Sequence, residues 1–107
     1  MQPRVMQDVA ERSLSTAFLG QSYDLPFGVA PMGMCNLSCP HADRFIGLAG
    51  RKRGMPVCLS SAASSTIEDM HGSGGTNAWV QLYVGPSMDH YMSLVERART
   101  AGYDTLN

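Results

Sequence analysis

The sequence predicts an α/β fold in which short parallel strands alternate with helices. Short apolar runs recur with centres about 25 residues apart, a spacing typical of βα units. Stretches with apolar residues at helical spacing lie between these runs. The resulting order, β-α-β-α-β-α-β, is typical of a parallel sheet or barrel.

Length, charge and hydropathy exclude several classes of protein. The chain has 107 residues, 44% of them apolar, enough for one domain with a modest core. Its formal net charge of −1 argues against a nucleic-acid binder, which needs a basic surface. No run approaches the roughly 20 apolar residues of a membrane span, and residues 1–8 lack the apolar centre of a signal peptide. We therefore expect a cytoplasmic protein.

A lead-in segment precedes the first predicted βα unit. Residues 1–22 contain a turn signal at Gly20, which predicts a hairpin near residues 15–21. Residues 25–31 form an apolar run ended by proline and predict a buried strand. We divide the chain accordingly into the lead-in and an α/β part, residues 23–107.

The first predicted helix and the second predicted strand follow. One helix face is apolar and consists of Ala42, Phe45, Ile46 and Ala49. Pro40 suits the first turn of this helix, and Gly54 ends it. Residues 55–60 predict the second strand.

The second helix and the third strand come next. Ser65 and Glu68 have the spacing of a capping box, so the helix is expected to start there. Residues 72–75 are rich in glycine and predict a flexible turn. Residues 78–84 alternate as a strand. One face carries Trp79, Gln81 and Tyr83, and the other carries Val80, Leu82 and Val84.

The third helix has the clearest ends. Its apolar stripe consists of Tyr91, Leu94, Val95, Ala98 and Ala101. Asp89 lies in its first turn, Arg97 and Arg99 near its end, and Gly102 just after it. Residues 105–107 begin a fourth strand.

Ligands of parallel α/β proteins bind at the carboxyl ends of the strands. Residues 30–33 form a corner that a flat ligand can approach closely. Ser60 and Ser61 offer two hydroxyls, while Gln81 and Tyr83 offer an amide and a phenol on one face. This set suits a hydrogen-bonding heterocycle and a small polar substrate. A structural interpretation stays open, in which the hydroxyls cap a turn and the amide and phenol are satisfied by neighbours.

Other sites receive less support from the sequence. Phosphate-loop, Rossmann and nucleophile–base patterns are absent, and no histidine stands at a predicted strand end. An odd number of cysteines argues against a disulfide framework. Cys35, Cys39 and His41 lie close in sequence, but His71 and His90 are isolated, so the ligand set for zinc is incomplete. We predict no metal site and keep a metal-binding module as an alternative.

Three ordered stretches, residues 25–33, 59–68 and 79–84, resemble the FMN-dependent α-hydroxy-acid oxidases and dehydrogenases. That family includes glycolate oxidase, the flavin type of L-lactate dehydrogenase and mandelate dehydrogenase. The resemblance runs in register over about residues 2–107. It implies part of a (β/α)₈ TIM barrel, namely the first three βα units and the start of a fourth strand, with FMN at the carboxyl ends of the strands.

The resemblance also implies an activity and its partners. The activity is oxidation of a small 2-hydroxy acid, of the lactate, glycolate and mandelate class, by hydride transfer to flavin. The parent protein is expected to be a homo-oligomer. The electron acceptor, the particular acid and peripheral association with the inner membrane stay open. Met32 stands where many relatives have Thr, and Ala62 stands where some members have a bulky aromatic.

Site residues carry over position by position. The backbone expected against the flavin ring belongs to Pro31, Met32 and Gly33. Ser60 and Gln81 match a hydroxyl and an amide that contact the ring, and Tyr83 matches a phenol that binds substrate. The family's catalytic histidine, flavin-stabilising lysine, substrate-binding arginines and phosphate site are expected downstream of Asn107. We therefore expect the isolated chain to be inactive, and the alternative is a free-standing, non-catalytic α/β interaction module.

Overall fold

A computed structural model describes residues 5–6 and 8–107, so residues 1–4 and 7 of the lead-in lie outside the description. Strands and helices follow in the order β1 Thr16–Phe18, β2 Gln21–Tyr23, α1 Ala42–Arg53, β3 Val57–Leu59, α2 Ile67–Gly74, β4 Ala78–Val80 and α3 Met88–Ala101. Two short 3₁₀ helices span Cys35–Leu37 and Gly75–Asn77.

The centre of the sheet is the parallel pair β3 and β4. A single parallel bridge flanks it on each side, Val29 with Val57 and Val80 with Leu106. Four segments therefore lie side by side in chain order, as the alternating sequence pattern predicts. The beginning of a fourth strand at residues 105–107 corresponds to the bridge at Leu106.

The predicted buried strand at residues 25–31 is wrong in its extent. Val29 alone makes ladder bonds, donating its N–H to Pro56 at 2.9 Å and accepting from Cys58 at 3.0 Å. Prolines lie on both sides of it, and they have no N–H with which to continue a ladder. Most of the run is exposed rather than buried.

The other two strands are also shorter than predicted. The chain turns after β3, where the N–H of Ala63 donates to the carbonyl of Ser60 at 3.0 Å. Regular pairing of β4 therefore stops at Val80 rather than continuing to residue 84. Tyr83 and Val84 are exposed, so the predicted alternation of two faces does not extend to the end of this stretch.

The helices cover one face of the sheet. The core on this side consists of Val57, Leu59, Ile67, Met70, Ala78, Val80, Ala98 and Tyr103. On the hairpin side, the indole Nε1–H of Trp79 donates to the hydroxyl of Tyr23 at 3.2 Å. The ring of Phe18 lies 5.8 Å from that of Trp79. The sheet thus has a helix face and a hairpin face.

The predicted hairpin is confirmed. β1 and β2 pair antiparallel around the two-residue turn Leu19–Gly20. Both turn residues have positive φ, 50° and 79°, as tight hairpins with a right-handed twist require.

The predicted glycine ends of α1 and α3 are confirmed. Gly54 and Gly102 follow the two helices with φ of 58° and 98°, the left-handed cap conformation. Pro40, however, lies before the N-cap residue His41 and not in the first turn of α1. None of the described helices combines the length and apolarity needed to cross a membrane.

The start of α2 lies one residue later than predicted. Thr66, not Ser65, is the N-cap, and its Oγ1 accepts the N–H of Asp69 at 3.1 Å. Thr66 and Asp69 have the same three-residue spacing as Ser65 and Glu68, so the spacing alone does not fix which residue is the N-cap.

The glycine-rich stretch at residues 72–75 is helical up to Gly74, so the predicted flexible turn is wrong there. A Cβ at Gly74 would lie 3.0 Å from the Cβ of Ala78, which shows how closely α2 approaches β4. A Cβ at Gly47 would lie 3.3 Å from the backbone nitrogen of Gly74. These glycines permit close packing of α1, α2 and the sheet.

Candidate functional site at the carboxyl ends of the strands

The turn after β3 meets the residue after β4 at the side chain of Gln81. The hydroxyl of Ser60 donates to Gln81 Oε1 at 3.4 Å, and the backbone N–H of Ser61 lies at the same distance from that oxygen. Since the amide oxygen accepts on both sides, the amide nitrogen is the end that can donate to a ligand. Ser60 is buried. The structure thus brings two of the predicted cofactor residues together.

The corner at residues 31–33 lies against the same turn. The N–H of Met34 donates to the carbonyl of Ala62 at 2.9 Å. A Cβ at Gly33 would lie 3.2 Å from the Cβ of Ala62, tighter than ordinary contact. The backbone of Pro31, Met32 and Gly33 therefore runs beside the turn that carries Ser60.

Tyr83 joins this group through its backbone. Its N–H donates to the hydroxyl of Ser61 at 3.0 Å, and that hydroxyl donates to the carbonyl of Gln81 at 2.6 Å. Tyr83 as a whole residue is 69% exposed. No hydrogen bond joins its phenol to another described residue, so the phenol is available to a ligand.

Sequence analysis missed the part played by Asp43. This residue is 4% exposed, and its Oδ2 accepts the backbone N–H groups of Ser64 and Ser65 at 2.9 and 3.0 Å. It therefore fixes the loop that continues from the candidate site. An acid in the first helical turn after a strand-end loop is the signal that could have indicated it.

The histidines lie away from the strand ends. His41 is the N-cap of α1, His71 is inside α2, and His90 is in the first turn of α3. Within residues 5–6 and 8–107, no three His, Cys, Asp or Glu side chains are grouped to hold a metal ion. The structure thus adds no support for the metal-binding alternative.

A cavity of about 430 Å³ lies on the hairpin face of the sheet. Aromatic rings of Phe18, Tyr23, Phe27 and Trp79 line it, and it extends to Pro31. Its lining is mainly apolar, which suits packing against apolar groups better than binding a small polar acid.

Known proteins match almost the whole chain. The sequence profile of the family described as FMN-dependent dehydrogenase matches residues 1–107. The L-lactate dehydrogenase of Xanthobacter autotrophicus is 32% identical over 106 residues, which cover 99% of this chain and 27% of that protein.

Solved structures also match almost the whole chain. A soluble mutant of the membrane-associated (S)-mandelate dehydrogenase from Pseudomonas putida superposes with a TM-score of 0.91 at 32% identity, covering 98% of this chain and 30% of that one. A mandelate oxidase variant with a monooxide FMN adduct gives a TM-score of 0.91 at 27% identity, covering 98% and 33%. The α/β fold is therefore that of mandelate dehydrogenase and mandelate oxidase over the matched part.

The chain spans about a quarter to a third of the length of these relatives. Within that span the family profile covers every residue, and the fold agrees with that of the solved structures. The chain belongs to the FMN-dependent dehydrogenase family.

Proposed function

We propose that this chain supplies an FMN-contacting part of an enzyme that oxidises a small 2-hydroxy acid to the 2-oxo acid. The carboxamide of Gln81 carries the proposal. Its oxygen is occupied by Ser60 and Ser61, so its nitrogen remains to donate to a carbonyl on the polar edge of a flavin ring. FMN-dependent relatives with the same fold support the choice of ligand.

The neighbouring backbone also fits a flat ring. The absence of a Cβ at Gly33 lets the corner formed by Pro31, Met32 and Gly33 pack closely on Ala62, which holds its main chain beside the turn that carries Ser60. We propose that this corner lies along the ring, with Ser60 and Gln81 at its polar edge. When bound, FMN supplies an acceptor for the hydride that leaves the α-carbon of the acid.

Tyr83 is the proposed substrate-binding residue. Its phenol is exposed just past β4, two residues from Gln81, and can donate to a carboxylate or an oxo group. A hydrogen bond of this kind orients the acid with respect to the ring.

We also propose that the described segments form the first three βα units of a (β/α)₈ barrel and the beginning of its fourth strand. Four parallel segments in chain order, with helices on one face, support this assignment. We propose the same division of the chain as before, into the lead-in, residues 1–22, and the barrel part, residues 23–107.

Oxidation of the alcohol also releases a proton, which needs a base. Among the described residues, no histidine lies at the carboxyl end of a strand. We therefore expect residues 1–107 alone to give no turnover, and we propose that the base lies elsewhere in the active enzyme.

Anaerobic flavin reduction tests the proposal. The natural polypeptide that contains residues 1–107 is loaded with FMN and mixed separately with L-lactate, glycolate and mandelate. We expect at least one acid to bleach the flavin absorbance, and Tyr83→Phe to raise the KM for that acid while FMN stays bound. Ser93→Ala, on the exposed surface of α3, is the control. The proposal would be refuted if FMN does not bind, or if none of the 2-hydroxy acids tested reduces the flavin.

A further inference from the structure

We propose that Ser61 is a positioning residue, whose hydroxyl extends the β3–β4 ladder by one step and fixes Tyr83 relative to Gln81. The hydroxyl donates to the carbonyl of Gln81 at 2.6 Å and accepts the N–H of Tyr83 at 3.0 Å. The assignment of Tyr83 to substrate binding rests on the proposed function, whereas the hydrogen bonds of Ser61 do not.

The pattern follows from the geometry of parallel strands. In a parallel pair, one residue uses its N–H and its C=O to bond two residues of the neighbouring strand. The last regular bond of this kind runs from the N–H of Gln81 to the carbonyl of Leu59 at 2.8 Å. In a continued ladder, residue 61 would be the next to pair with this strand. Its N–H would donate to the carbonyl of Gln81, and its carbonyl would accept the N–H of Tyr83.

The chain leaves the sheet at this point, so the main chain of Ser61 cannot fill that position. Its backbone N–H donates instead to the side-chain oxygen of Gln81 at 3.4 Å. The side-chain hydroxyl takes over both main-chain bonds. A hydroxyl can donate and accept at once, which a methyl group cannot do.

Removal of the hydroxyl should affect Tyr83 specifically. Among the described residues, Ser61 is the partner of the Tyr83 N–H. The preceding residue is held from the other side of the strand, because the N–H of Leu82 donates to the carbonyl of Asn107 at 2.9 Å. Ser61→Ala therefore releases one amide and leaves its neighbour bonded.

Amide hydrogen exchange tests this arrangement without any cofactor. In the natural polypeptide that contains residues 1–107, we expect Ser61→Ala to speed exchange at Tyr83 about tenfold or more, with exchange at Leu82 unchanged. Ser61→Thr, which keeps the hydroxyl, should restore protection. Ser93→Ala removes a comparable serine hydroxyl in α3 and should change neither amide.

Steady-state kinetics of the FMN-loaded polypeptide then separate positioning from general stability. We expect Ser61→Ala to raise the KM for the hydroxy acid about tenfold, the cost of roughly one hydrogen bond, with Ser61→Thr close to wild type. FMN affinity should change little, because the backbone N–H of Ser61 still reaches Gln81 Oε1.

Each remaining outcome is decisive. Any one of three results overturns the positioning role. Exchange at Tyr83 is unchanged, or Leu82 loses as much protection as Tyr83, or the KM is unchanged although Tyr83 exchanges faster. If the polypeptide fails to bind FMN, the proposed function is wrong. If Tyr83 alone still exchanges faster in that polypeptide, the hydrogen bonds of Ser61 are as described.

Discussion

Asp43 and Ser64 join the start of α1 to the loop after β3, because the buried carboxylate of Asp43 accepts the backbone N–H of Ser64 at 2.9 Å. The same oxygen accepts the N–H of Ser65 at 3.0 Å. Two main-chain donors are thereby satisfied by one charged acceptor. The loop that follows the candidate site is therefore held by a helix rather than by the sheet.

Replacement of Asp43 by Asn should destabilise the fold by about 1–3 kcal/mol, because the charge-assisted bonds from this buried side chain to two backbone amides become neutral or are lost. Asp89→Asn is the matched control, since Asp89 also lies in the first turn of a helix but is exposed. That control removes only a favourable interaction with the helix dipole, about 0.3–1 kcal/mol. Urea unfolding of the natural polypeptide measures both variants. Equal losses would show that the loop contact adds nothing.

Two helical glycines should respond in opposite ways to replacement by alanine. A Cβ at Gly50 would lie 2.4 Å from Cγ1 of Val57, a fully buried side chain, whereas a Cβ at Gly72 would meet nothing within 4 Å. Gly50→Ala should therefore destabilise by about 1–3 kcal/mol through overpacking. Gly72→Ala should stabilise by up to about 1 kcal/mol through helix propensity. Thermal unfolding of the two variants checks the prediction, and stabilisation by Gly50→Ala would contradict the packing of α1 on β3.

Alkylation of Cys58 should depend steeply on pH. Burial raises the pKa of the Cys58 thiol to about 11. Because the thiolate is the reactive form, the rate should rise about tenfold per pH unit between pH 7 and pH 9. Cys39 is exposed and should be modified before Cys58 throughout. Peptide mass spectrometry after timed iodoacetamide treatment measures both sites, and a rate at Cys58 that is independent of pH would refute the prediction.

The ion pair between Glu68 and Arg97 connects α2 with α3. Arg97 donates to both carboxylate oxygens, at 3.0 and 2.9 Å, and these bonds hold the pKa of Glu68 below its usual range. A carboxyl with a lowered pKa stabilises the folded state at neutral pH, and this contribution is lost as the pH falls through the lowered value. Wild type should therefore lose its stability advantage over Glu68→Gln on acidification.

Glu96→Gln is the control for this ion pair, because Glu96 pairs with Arg99 within α3 and joins no two elements. Its effect on the melting temperature at neutral pH should be smaller than that of Glu68→Gln. A constant difference between wild type and Glu68→Gln from neutral to acidic pH would contradict the assigned cause. Both pairs are well exposed, so the absolute effects should be small.

Local signals in the sequence were sufficient for the hairpin and for the ends of two helices. Gly20, Gly54 and Gly102 occupy backbone conformations that favour glycine, and such positions can be read without knowing the fold. The start of α2 was predicted one residue too early, because the pair Thr66 and Asp69 has the same three-residue spacing as Ser65 and Glu68.

Tertiary contacts explain what could not be predicted. Position 74 lacks a Cβ because α2 approaches Ala78 closely, so this glycine meets a packing requirement set by a neighbour in space and does not mark a turn. The positions of Ser60 and Gln81 followed from the rule that strand ends form sites, and the structure brings the two side chains together. The bridging hydroxyl of Ser61 depends on the turn after β3, which the sequence alone does not define.

The amide nitrogen of Gln81 is proposed to contact FMN, and the affinity for FMN tests this contact most directly. Quenching of flavin fluorescence gives the Kd of the natural polypeptide, of Gln81→Leu and of the Ser93→Ala control. Removal of the amide should raise the Kd about tenfold, equivalent to roughly 1.4 kcal/mol, while the control binds as wild type. Equal affinity of wild type and Gln81→Leu would contradict the account.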